Sequence, residues 1–271
     1  MTTLAEMLDA RTAEGALYER LEGSSLRCFA CGHRCKVLEG RRGICKVRFN
    51  RGGALLVPRG YVAALQCDPT EKKPFFHVLP GSDTLTFGML GCDYHCPYCQ
   101  NWLTSQTIRD PLASFDRYQV RPEDLVEMGL DCGASLVGSS YNEPLITAEW
   151  AVDVFRVARQ RGLSTAFISN GNATREVLEY LRPWVDGYKI DLKAMSQRGY
   201  RRLGGVLDRV LETIKMTVEM GFWVEVVTLV VPGFNDSPDE LREAARFLVS
   251  VSRDVPWHVT AFHKDYKMTD P

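Results

Sequence analysis

Short apolar runs alternate with amphipathic stretches from residue 84 onward. The runs are rich in β-branched and aromatic residues, as buried strands are, and they cover residues 84–90, 134–140, 165–170, 185–191, 223–231 and 257–262. Helical periodicity lies between most of them, for example over residues 146–161 and 207–220. Strands that alternate with helices indicate βαβ units around a parallel sheet. Since six units are two short of a complete (β/α)8 barrel, we predict an α/β fold, a partial (β/α)6 TIM-like barrel.

The N-terminal part of the chain follows another pattern. Apolar side chains at helical spacing, including Leu4 and Leu8, predict an amphipathic helix over about residues 3–22. A basic, cysteine-rich stretch comes next, and short strand-like runs follow it. We therefore predict two units: a small N-terminal cysteine-rich accessory module that binds metal, residues 1–83, and a core domain, residues 84–271.

Composition and charge are those of an ordinary globular protein. Of the 271 residues, 45% are hydrophobic and 25% are charged, and the formal net charge is −1. This balance favours neither nucleic acid nor a membrane surface as a partner. No apolar stretch approaches the length that spans a bilayer, and the N-terminal residues carry acids among their apolar positions, unlike a signal peptide. We therefore expect a cytoplasmic location.

Polar residues follow every predicted strand. In parallel α/β sheets the carboxyl ends of the strands carry the chemistry, so these residues are expected to share one site. The candidates are Cys92, Glu143, Ser169, Asn170, Asp191, Lys193, Gly233 and His263.

Seven of the nine cysteines fall into two groups along the sequence. These are Cys28, Cys31, Cys35 and Cys45, then Cys92, Cys96 and Cys99, whereas Cys67 and Cys132 stand alone. Grouped cysteines in a reducing compartment indicate metal or redox chemistry more often than disulfides. A chain of this length also has enough core to fold without a disulfide framework.

The second cysteine group spans eight residues on a loop that leaves the first predicted strand. Three thiolates at this spacing can hold three corners of a cubane iron–sulfur cluster and leave one iron open to a ligand. A structural zinc site is instead closed by four protein ligands. The alternative is a zinc knuckle that His95 completes.

The first cysteine group offers four thiolates, with His33 between them. Four thiolates satisfy either a structural Zn²⁺ or a closed [4Fe–4S] cluster, and their spacing does not separate the two. We favour zinc slightly, because nothing here indicates an open iron. The surrounding basic residues can dock an acidic partner or nucleic acid, or they can offset the thiolate charge. Without interleaved aromatic residues for base stacking, we do not expect nucleic acid.

The Cys-x3-Cys-x2-Cys spacing, with Tyr98 before the last cysteine, resembles the radical S-adenosylmethionine (SAM) superfamily. The resemblance implies a [4Fe–4S] cluster on Cys92, Cys96 and Cys99, whose open iron chelates the amino and carboxylate groups of SAM. One electron then cleaves the sulfonium C–S bond and yields methionine and a 5′-deoxyadenosyl radical.

The resemblance extends over residues 60–268. The chain is similar to the pyruvate formate-lyase activating-enzyme group and, more narrowly, to the branch labelled the AmmeMemoRadiSam-system radical SAM enzyme. From this branch we also expect a longer C-terminal segment than the residues up to Pro271 provide. The narrower match rests on residues 68–74 with His77, Pro80 and Gly81, and on residues 99–102, 141–144, 231–236 and 257–268.

The resemblance also implies a role for Glu143. The residues Tyr141-Asn142-Glu143 stand where the superfamily has Gly-Gly-Glu, which implies that the Glu143 carboxylate accepts a hydrogen bond from the SAM amino group. The alternative is an acid that the dipole favours at a helix N-terminus.

Further cofactor contacts are implied at the remaining strand ends. Ser169 and Asn170 are placed near the ribose or the SAM carboxylate, and Asp191 and Lys193 beside the ribose and the radical path. The backbone at Gly233 can approach adenine closely. Loop capping by short polar side chains is the alternative for these residues. His263 is implied to contact adenine or substrate, with a surface histidine as its alternative.

Resemblance to activating enzymes implies that the radical abstracts a glycine Cα hydrogen in a partner protein, with flavodoxin or ferredoxin as the reductant. Two other functions stay open. One is radical modification of a small molecule or peptide. The other is an iron–sulfur electron-transfer or metal-scaffold protein without SAM chemistry, which the three-ligand loop disfavours because outer-sphere transfer needs no open iron.

Overall fold

The computed structural model describes residues 4–110, 113 and 118–268. The strands are β1 Thr12–Glu14, β2 Tyr18–Arg20, β3 Leu26–Cys28, β4 Lys36–Val37, β5 Phe49–Arg51, β6 Ala54–Pro58, β7 Tyr61–Val62, β8 Ala64–Pro69, β9 Asp83–Gly88, β10 Tyr118–Gln119, β11 Leu136–Ser139, β12 Ser164–Ser169, β13 Gly187–Asp191, β14 Trp223–Val230 and β15 Trp257–Ala261. The helices are α1 Leu4–Asp9, α2 Trp102–Ser105, α3 Pro122–Asp131, α4 Ala148–Gln160, α5 Arg175–Leu181, α6 Gln197–Leu203, α7 Leu207–Glu219 and α8 Pro238–Val251. Short 3-10 turns occur at Thr70–Lys72, Thr107–Arg109 and Pro144–Thr147.

The central sheet confirms the predicted partial barrel. Within the described residues its order is β15-β14-β13-β12-β11-β9-β8. Strands β9 and β11 to β15 are parallel and correspond to the six predicted strands, with each end within two residues of its predicted place. The seventh strand, β8, pairs antiparallel with β9. Helices α3, α4 and α7 pack on the sheet, which accounts for the near-continuous burial of strands such as β11.

The predicted helix over residues 3–22 is wrong beyond Asp9, because the following residues form β1 and β2. The backbone N–H groups of this segment form hydrogen bonds with distant parts of the chain instead of within a helix. The N–H of Gly15 donates to the carbonyl oxygen of Leu55 at 2.8 Å, and Glu149 Oε1 accepts the N–H of Ala16 at 3.2 Å. Gly15 also weakens a helix interior, so the helical spacing of the apolar residues was not enough to predict the structure of this segment.

The N-terminal residues form two small antiparallel sheets, β1-β6-β5 and β2-β3-β4, which pack against the barrel. Polar bonds reinforce the contact. Arg34 and Glu176 form a bidentate ion pair with distances of 2.9 and 2.6 Å, and the N–H of Gly32 donates to the Asn172 carbonyl oxygen at 2.7 Å. The division of the chain between residues 83 and 84 stays a prediction.

Several of the basic residues around the first cysteine group are engaged within the fold. Arg42 and Arg51 both pair with Asp9, and the buried Arg48 pairs with Glu149. These three arginines are therefore engaged with carboxylates of the same chain, and the proposed offset of the thiolate charge stays a prediction.

Residues 70–80, which we call the floor segment, close the amino-terminal end of the partial barrel. Phe75 is fully buried and packs with Leu136, the first residue of β11. The carboxylate of Glu225, the third residue of β14, accepts the backbone N–H of Phe76 at 3.0 Å. The segment therefore lies against the starts of the parallel strands.

Two cysteines that stand apart in the sequence meet in space. Cys67 of β8 and Cys132 at the end of α3, which belong to neither cysteine group in the sequence, form a disulfide. The connection over residues 105–119 falls partly outside the described residues, and its described part contains the 3-10 turn Thr107–Arg109 and β10. No helix in the described part of the chain combines the length and apolar character needed to cross a membrane.

Candidate active site

The cysteine loop, residues 91–100, leaves the carboxyl end of β9 and borders a cavity. Arg109 supports the loop, because its Nη2 donates to the Cys92 carbonyl oxygen at 2.8 Å. The side chains of Cys92, Cys96 and Cys99 all line this cavity, whose volume is about 430 Å³. That volume lies in the usual range for small-molecule sites.

The thiols of this loop are in an environment that suits a bound cation. Burial raises the pKa of Cys96 to about 12. Burial and, next, the nearby Asp93 carboxylate raise the pKa of Cys92 well above its ordinary value. Such thiols are protonated at neutral pH unless a metal takes the place of the proton. Cys92 and Cys96, together with Cys99 beside the same ligand-sized cavity, fit an iron–sulfur cluster.

The geometry disfavours a single zinc ion at the cysteine loop. One tetrahedral zinc would bring thiolate sulfurs to roughly 3.8 Å from one another. Among the described residues, the ligand atoms gathered within 4.8 Å of one another are those of His77, Glu225 and His258, and neither cysteine group forms such a set. His95, the alternative fourth ligand, instead packs against Gly204, where an added Cβ would lie 2.5 Å from its ring.

Glu143 is buried at the centre of the cavity wall. Its Oε1 accepts the N–H of Leu145 at 3.0 Å and the hydroxyl of Ser169 at 2.8 Å, and its Oε2 accepts the N–H of Asn170 at 2.7 Å. Burial and, next, the charge of Asp93 raise the pKa of Glu143 to about 8. The carboxylate thus caps the 3-10 turn that follows it and also faces the cavity.

Tyr141 preserves a backbone conformation that glycine favours. Its φ is +68°, in the left-handed region that is uncommon for residues with a Cβ. Gly88 makes room for this turn, since a Cβ there would lie 2.5 Å from the Ser140 carbonyl oxygen. Tyr141 replaces a glycine of the Gly-Gly-Glu pattern, but its backbone takes a conformation that glycine would also adopt at this position.

Asp93 is a buried acid that the sequence analysis missed. Its Oδ1 accepts Nδ2 of Asn170 at 2.7 Å, and its Oδ2 accepts Nδ2 of Asn172 at 2.8 Å. Nε2 of His33 lies 3.8 Å from Oδ2. Asp93 thereby links the cysteine loop to the end of β12 and to the N-terminal module. Its position between Cys92 and Cys96 could have identified Asp93 as a candidate site residue from the sequence.

Asp191 lies between two lysines at the end of β13. Nζ of Lys189 is 2.5 Å and Nζ of Lys193 is 3.0 Å from its carboxylate oxygens. Burial opposes ionisation, but the two ammonium groups outweigh it and lower the pKa of Asp191. All three side chains line the cavity. Residues 189 and 191 lie on the same face of β13, and this alternation could have identified Lys189 from the sequence as a neighbour of Asp191.

The structure brings most of the remaining candidates to the same cavity. Tyr98, Ser169 and Asn170 line it, whereas Gly233 and His263 do not. The ring of Tyr98 lies 5.6 Å from that of Phe234, so the loop after β14 does approach the cysteine loop. The assignments of Gly233 and His263 to the cofactor stay predictions.

Lys73 reaches the cavity from the floor segment and was not identified from the sequence. It is buried, and its Nζ donates to the Tyr141 hydroxyl oxygen at 3.0 Å and to Asp68 at 3.2 Å. The cavity therefore runs from the carboxyl ends of the strands down to the floor segment.

The first cysteine group also comes together in space. Burial, followed by Asp93 and then two neighbouring thiols, raises the pKa of Cys31 well above its ordinary value. A Cβ on Gly91 of the cysteine loop would lie 3.2 Å from the Cys45 carbonyl oxygen, so the two cysteine-bearing segments are adjacent. The members of the group are Cys28, Cys31 and Cys45, all buried, and the half-buried Cys35.

Two relatives are similar over most of the chain. An uncharacterized protein of Methanocaldococcus jannaschii is 36% identical over 259 residues, which cover 95% of this chain and 76% of that protein. The pyruvate formate-lyase 1-activating enzyme of Escherichia coli K12 is 29% identical over 199 residues, which cover 68% of this chain and 78% of that enzyme.

Two solved structures share the fold at low sequence identity. The structure of TYW1 with a lysine-pyruvate adduct bound matches with a TM-score of 0.52 at 17% identity, covering 78% of this chain and 79% of that chain. Streptococcus suis SuiB bound to its precursor peptide SuiA matches with a TM-score of 0.51 at 16% identity. The match covers 68% of this chain but only 40% of SuiB.

The family match covers the cysteine loop and most of the parallel strands. Residues 87–248, well over half of the chain, match the Radical SAM superfamily. That match implies a [4Fe–4S] cluster and SAM as cofactors, and the three thiols beside the cavity fit them. With the relatives above, it shows that the chain belongs to the radical SAM superfamily and to its activating-enzyme-like group.

Proposed function

We propose that this chain activates a partner protein by abstracting a hydrogen from the Cα of a glycine residue. The observation that carries the proposal is the similarity to the pyruvate formate-lyase 1-activating enzyme over 68% of the chain. Cys92, Cys96 and Cys99 are the proposed cluster ligands. When bound, the cluster supplies the electron that cleaves SAM to methionine and a 5′-deoxyadenosyl radical.

The proposed SAM contacts follow from the polar groups of the cavity wall. Glu143 faces the cavity and is held by three hydrogen bonds. Burial raises its pKa, and an ammonium group bound beside it would favour the ionised carboxylate that accepts from that group. The ion pairs of Asp191 fix Lys189 and Lys193 in the wall. A cavity of about 430 Å³ suits one small ligand, so only a short part of a protein substrate can enter beside SAM.

Glu143→Gln is expected to weaken SAM binding by about ten- to a hundred-fold. Loss of one charge-assisted hydrogen bond costs about 1.5–3 kcal/mol. Calorimetry with SAM on the reconstituted protein measures the effect. Glu219→Gln, at an exposed carboxylate near the end of α7, is the matched control and should bind SAM as wild type does. If Glu143→Gln keeps wild-type affinity, Glu143 serves only as the cap of its turn.

Hydrogen abstraction from glycine can be tested by isotope transfer. Proteins from source cells grown on glycine deuterated at Cα are mixed with the reconstituted enzyme, SAM and a reductant such as flavodoxin or ferredoxin. We expect deuterium in the 5′-deoxyadenosine and a glycyl radical in the electron paramagnetic resonance spectrum of the protein fraction. Deuterium transfer from the small-molecule fraction, with none from the protein fraction, would replace the proposal by small-molecule modification.

For Cys28, Cys31, Cys35 and Cys45 we propose a second metal centre with a structural role. The burial of Cys28, Cys31 and Cys45 supports a bound metal, and both a structural Zn²⁺, which the sequence spacing slightly favours, and a closed [4Fe–4S] cluster fit four thiolates. Elemental analysis separates the two. About eight irons per chain correspond to two [4Fe–4S] clusters, whereas about four irons and one zinc correspond to a zinc site.

Cys31→Ser is expected to lower thermal stability while the folded fraction still releases 5′-deoxyadenosine with dithionite. The physical reason is that metal binding to buried thiolates contributes folding free energy. Melting curves and turnover per folded chain are the measurements. A variant that is as stable as wild type but does not cleave SAM would assign the second centre to electron entry.

A further inference from the structure

The side chains of His77, Glu225 and His258 form a cluster outside the cavity. Their ligand atoms all lie within 4.8 Å of one another, and none of the three residues lines the cavity. Glu225 and His258 lie near the amino ends of β14 and β15, whereas the cysteine loop follows the carboxyl end of β9. The cluster therefore belongs to the opposite end of the barrel.

Three separate parts of the chain supply these side chains. His77 comes from the floor segment, and the other two residues come from adjacent parallel strands. Oε2 of Glu225 lies 2.6 Å from Nε2 of His258 and 3.4 Å from Nδ1 of His77. The two imidazole rings are stacked with their centres 5.6 Å apart. One carboxylate oxygen thus faces a nitrogen of each histidine.

The other contacts of Glu225 hold its carboxylate in a fixed orientation. Oε1 accepts the backbone N–H of His77 and Nε1–H of Trp223, both at 3.1 Å. Oε2 also accepts the N–H of Phe76 at 3.0 Å. Outer hydrogen bonds of this kind orient carboxylates that bind metals. The Glu225 side chain is fully buried, but the His77 side chain is 53% exposed, so one side of the cluster is open to solvent.

We propose that His77, Glu225 and His258 bind a divalent transition metal such as Zn²⁺, which clamps the floor segment to β14 and β15. Two imidazoles and one carboxylate form a ligand set that zinc uses with water in the fourth position. Tetrahedral bond lengths place such ligand atoms roughly 3.3 Å apart. The Glu225–His77 separation already matches, and the Glu225–His258 pair must open by about 0.7 Å. The proposal is independent of the substrate of the cavity.

Zinc counting on the full chain tests the site. Reconstituted wild type, His77→Ala and His263→Ala are incubated with Zn²⁺, desalted and assayed for zinc and iron per chain. His263 is an exposed histidine outside the cluster and controls for adventitious histidine binding. We expect wild type and His263→Ala to hold one zinc more than His77→Ala. His77→Ala keeps all four cysteines of the first group, so any zinc bound there is present in both proteins and cancels in the difference.

Thermal melting separates binding from misfolding. The half-exposed His77 ring contributes little packing, so His77→Ala should melt close to wild type without added zinc. Zinc should raise the melting temperature of wild type and His263→Ala but not of His77→Ala, because a ligand stabilises only the chain that binds it. His258→Ala should lose the zinc response as well. Equal zinc content and equal zinc stabilisation in wild type and His77→Ala, or no zinc beyond the cysteine sites in wild type, would overturn the proposal.

Discussion

Cys96→Ala is expected to reduce SAM cleavage to an undetectable level and to lower the iron content by up to one cluster. Cys96 is buried beside the cavity, and burial raises its pKa to about 12. Without a metal its thiol is therefore protonated at neutral pH. Removing it leaves two cysteines in the loop, too few to hold three corners of a cubane cluster. The measurements are iron per chain after anaerobic reconstitution and 5′-deoxyadenosine formed with dithionite and SAM.

The matched control is the double variant Cys67→Ala/Cys132→Ala. It removes the two cysteines that lie outside both groups and pair with each other, so iron content and SAM cleavage should stay at wild-type levels. Full iron content together with wild-type turnover in Cys96→Ala would refute the assignment of the cluster to this loop.

Arg48→Met is expected to lower the free energy of unfolding by about 3–5 kcal/mol. Arg48 is 1% exposed, and its guanidinium forms a bidentate pair with Glu149 at 2.7 Å for each contact. It also donates to the Ile146 carbonyl oxygen at 3.1 Å. Methionine leaves the Glu149 carboxylate buried without its counter-charge. Because this pair joins the N-terminal module to α4, its loss affects both parts of the fold.

Chemical denaturation measures the effect, with Arg242→Met as the control. Arg242 pairs with Asp239 on an exposed face of α8, where such pairs contribute about 0–1 kcal/mol. Burial opposes ionisation of Glu149, but Arg48 outweighs it and lowers the pKa of Glu149. The contribution of the pair is thus present above the ordinary glutamate pKa, about 4.3, and is lost as the pH falls further. The difference in the free energy of unfolding between wild type and Arg48→Met should therefore narrow at acidic pH. If Arg48→Met and Arg242→Met lose the same free energy of unfolding, the stabilising role of the Arg48–Glu149 pair is contradicted.

The parallel sheet was predictable because its signal is local. Five of the six strands are largely buried runs between turn signals, and β15 is a half-exposed strand at the edge of the sheet. The three cysteines of the loop were likewise readable from spacing. Such features depend on neighbours along the chain, which a sequence displays directly.

The features that were missed depend on partners distant in the sequence. Residues after Asp9 leave the predicted helix because Leu55 and Glu149 take their backbone groups. The role of Asp93 becomes visible only when Asn170 and Asn172 meet it. No periodicity encodes such pairings, so they required the folded chain.

The most direct test of radical SAM chemistry in this chain is the reductive cleavage of SAM by the wild-type protein. The chain is reconstituted anaerobically with iron and sulfide, reduced with dithionite and incubated with SAM. We predict that 5′-deoxyadenosine and methionine form in equal amounts and only when reductant is present. A protein that holds about four or more irons per chain yet leaves SAM intact under these conditions would contradict the account.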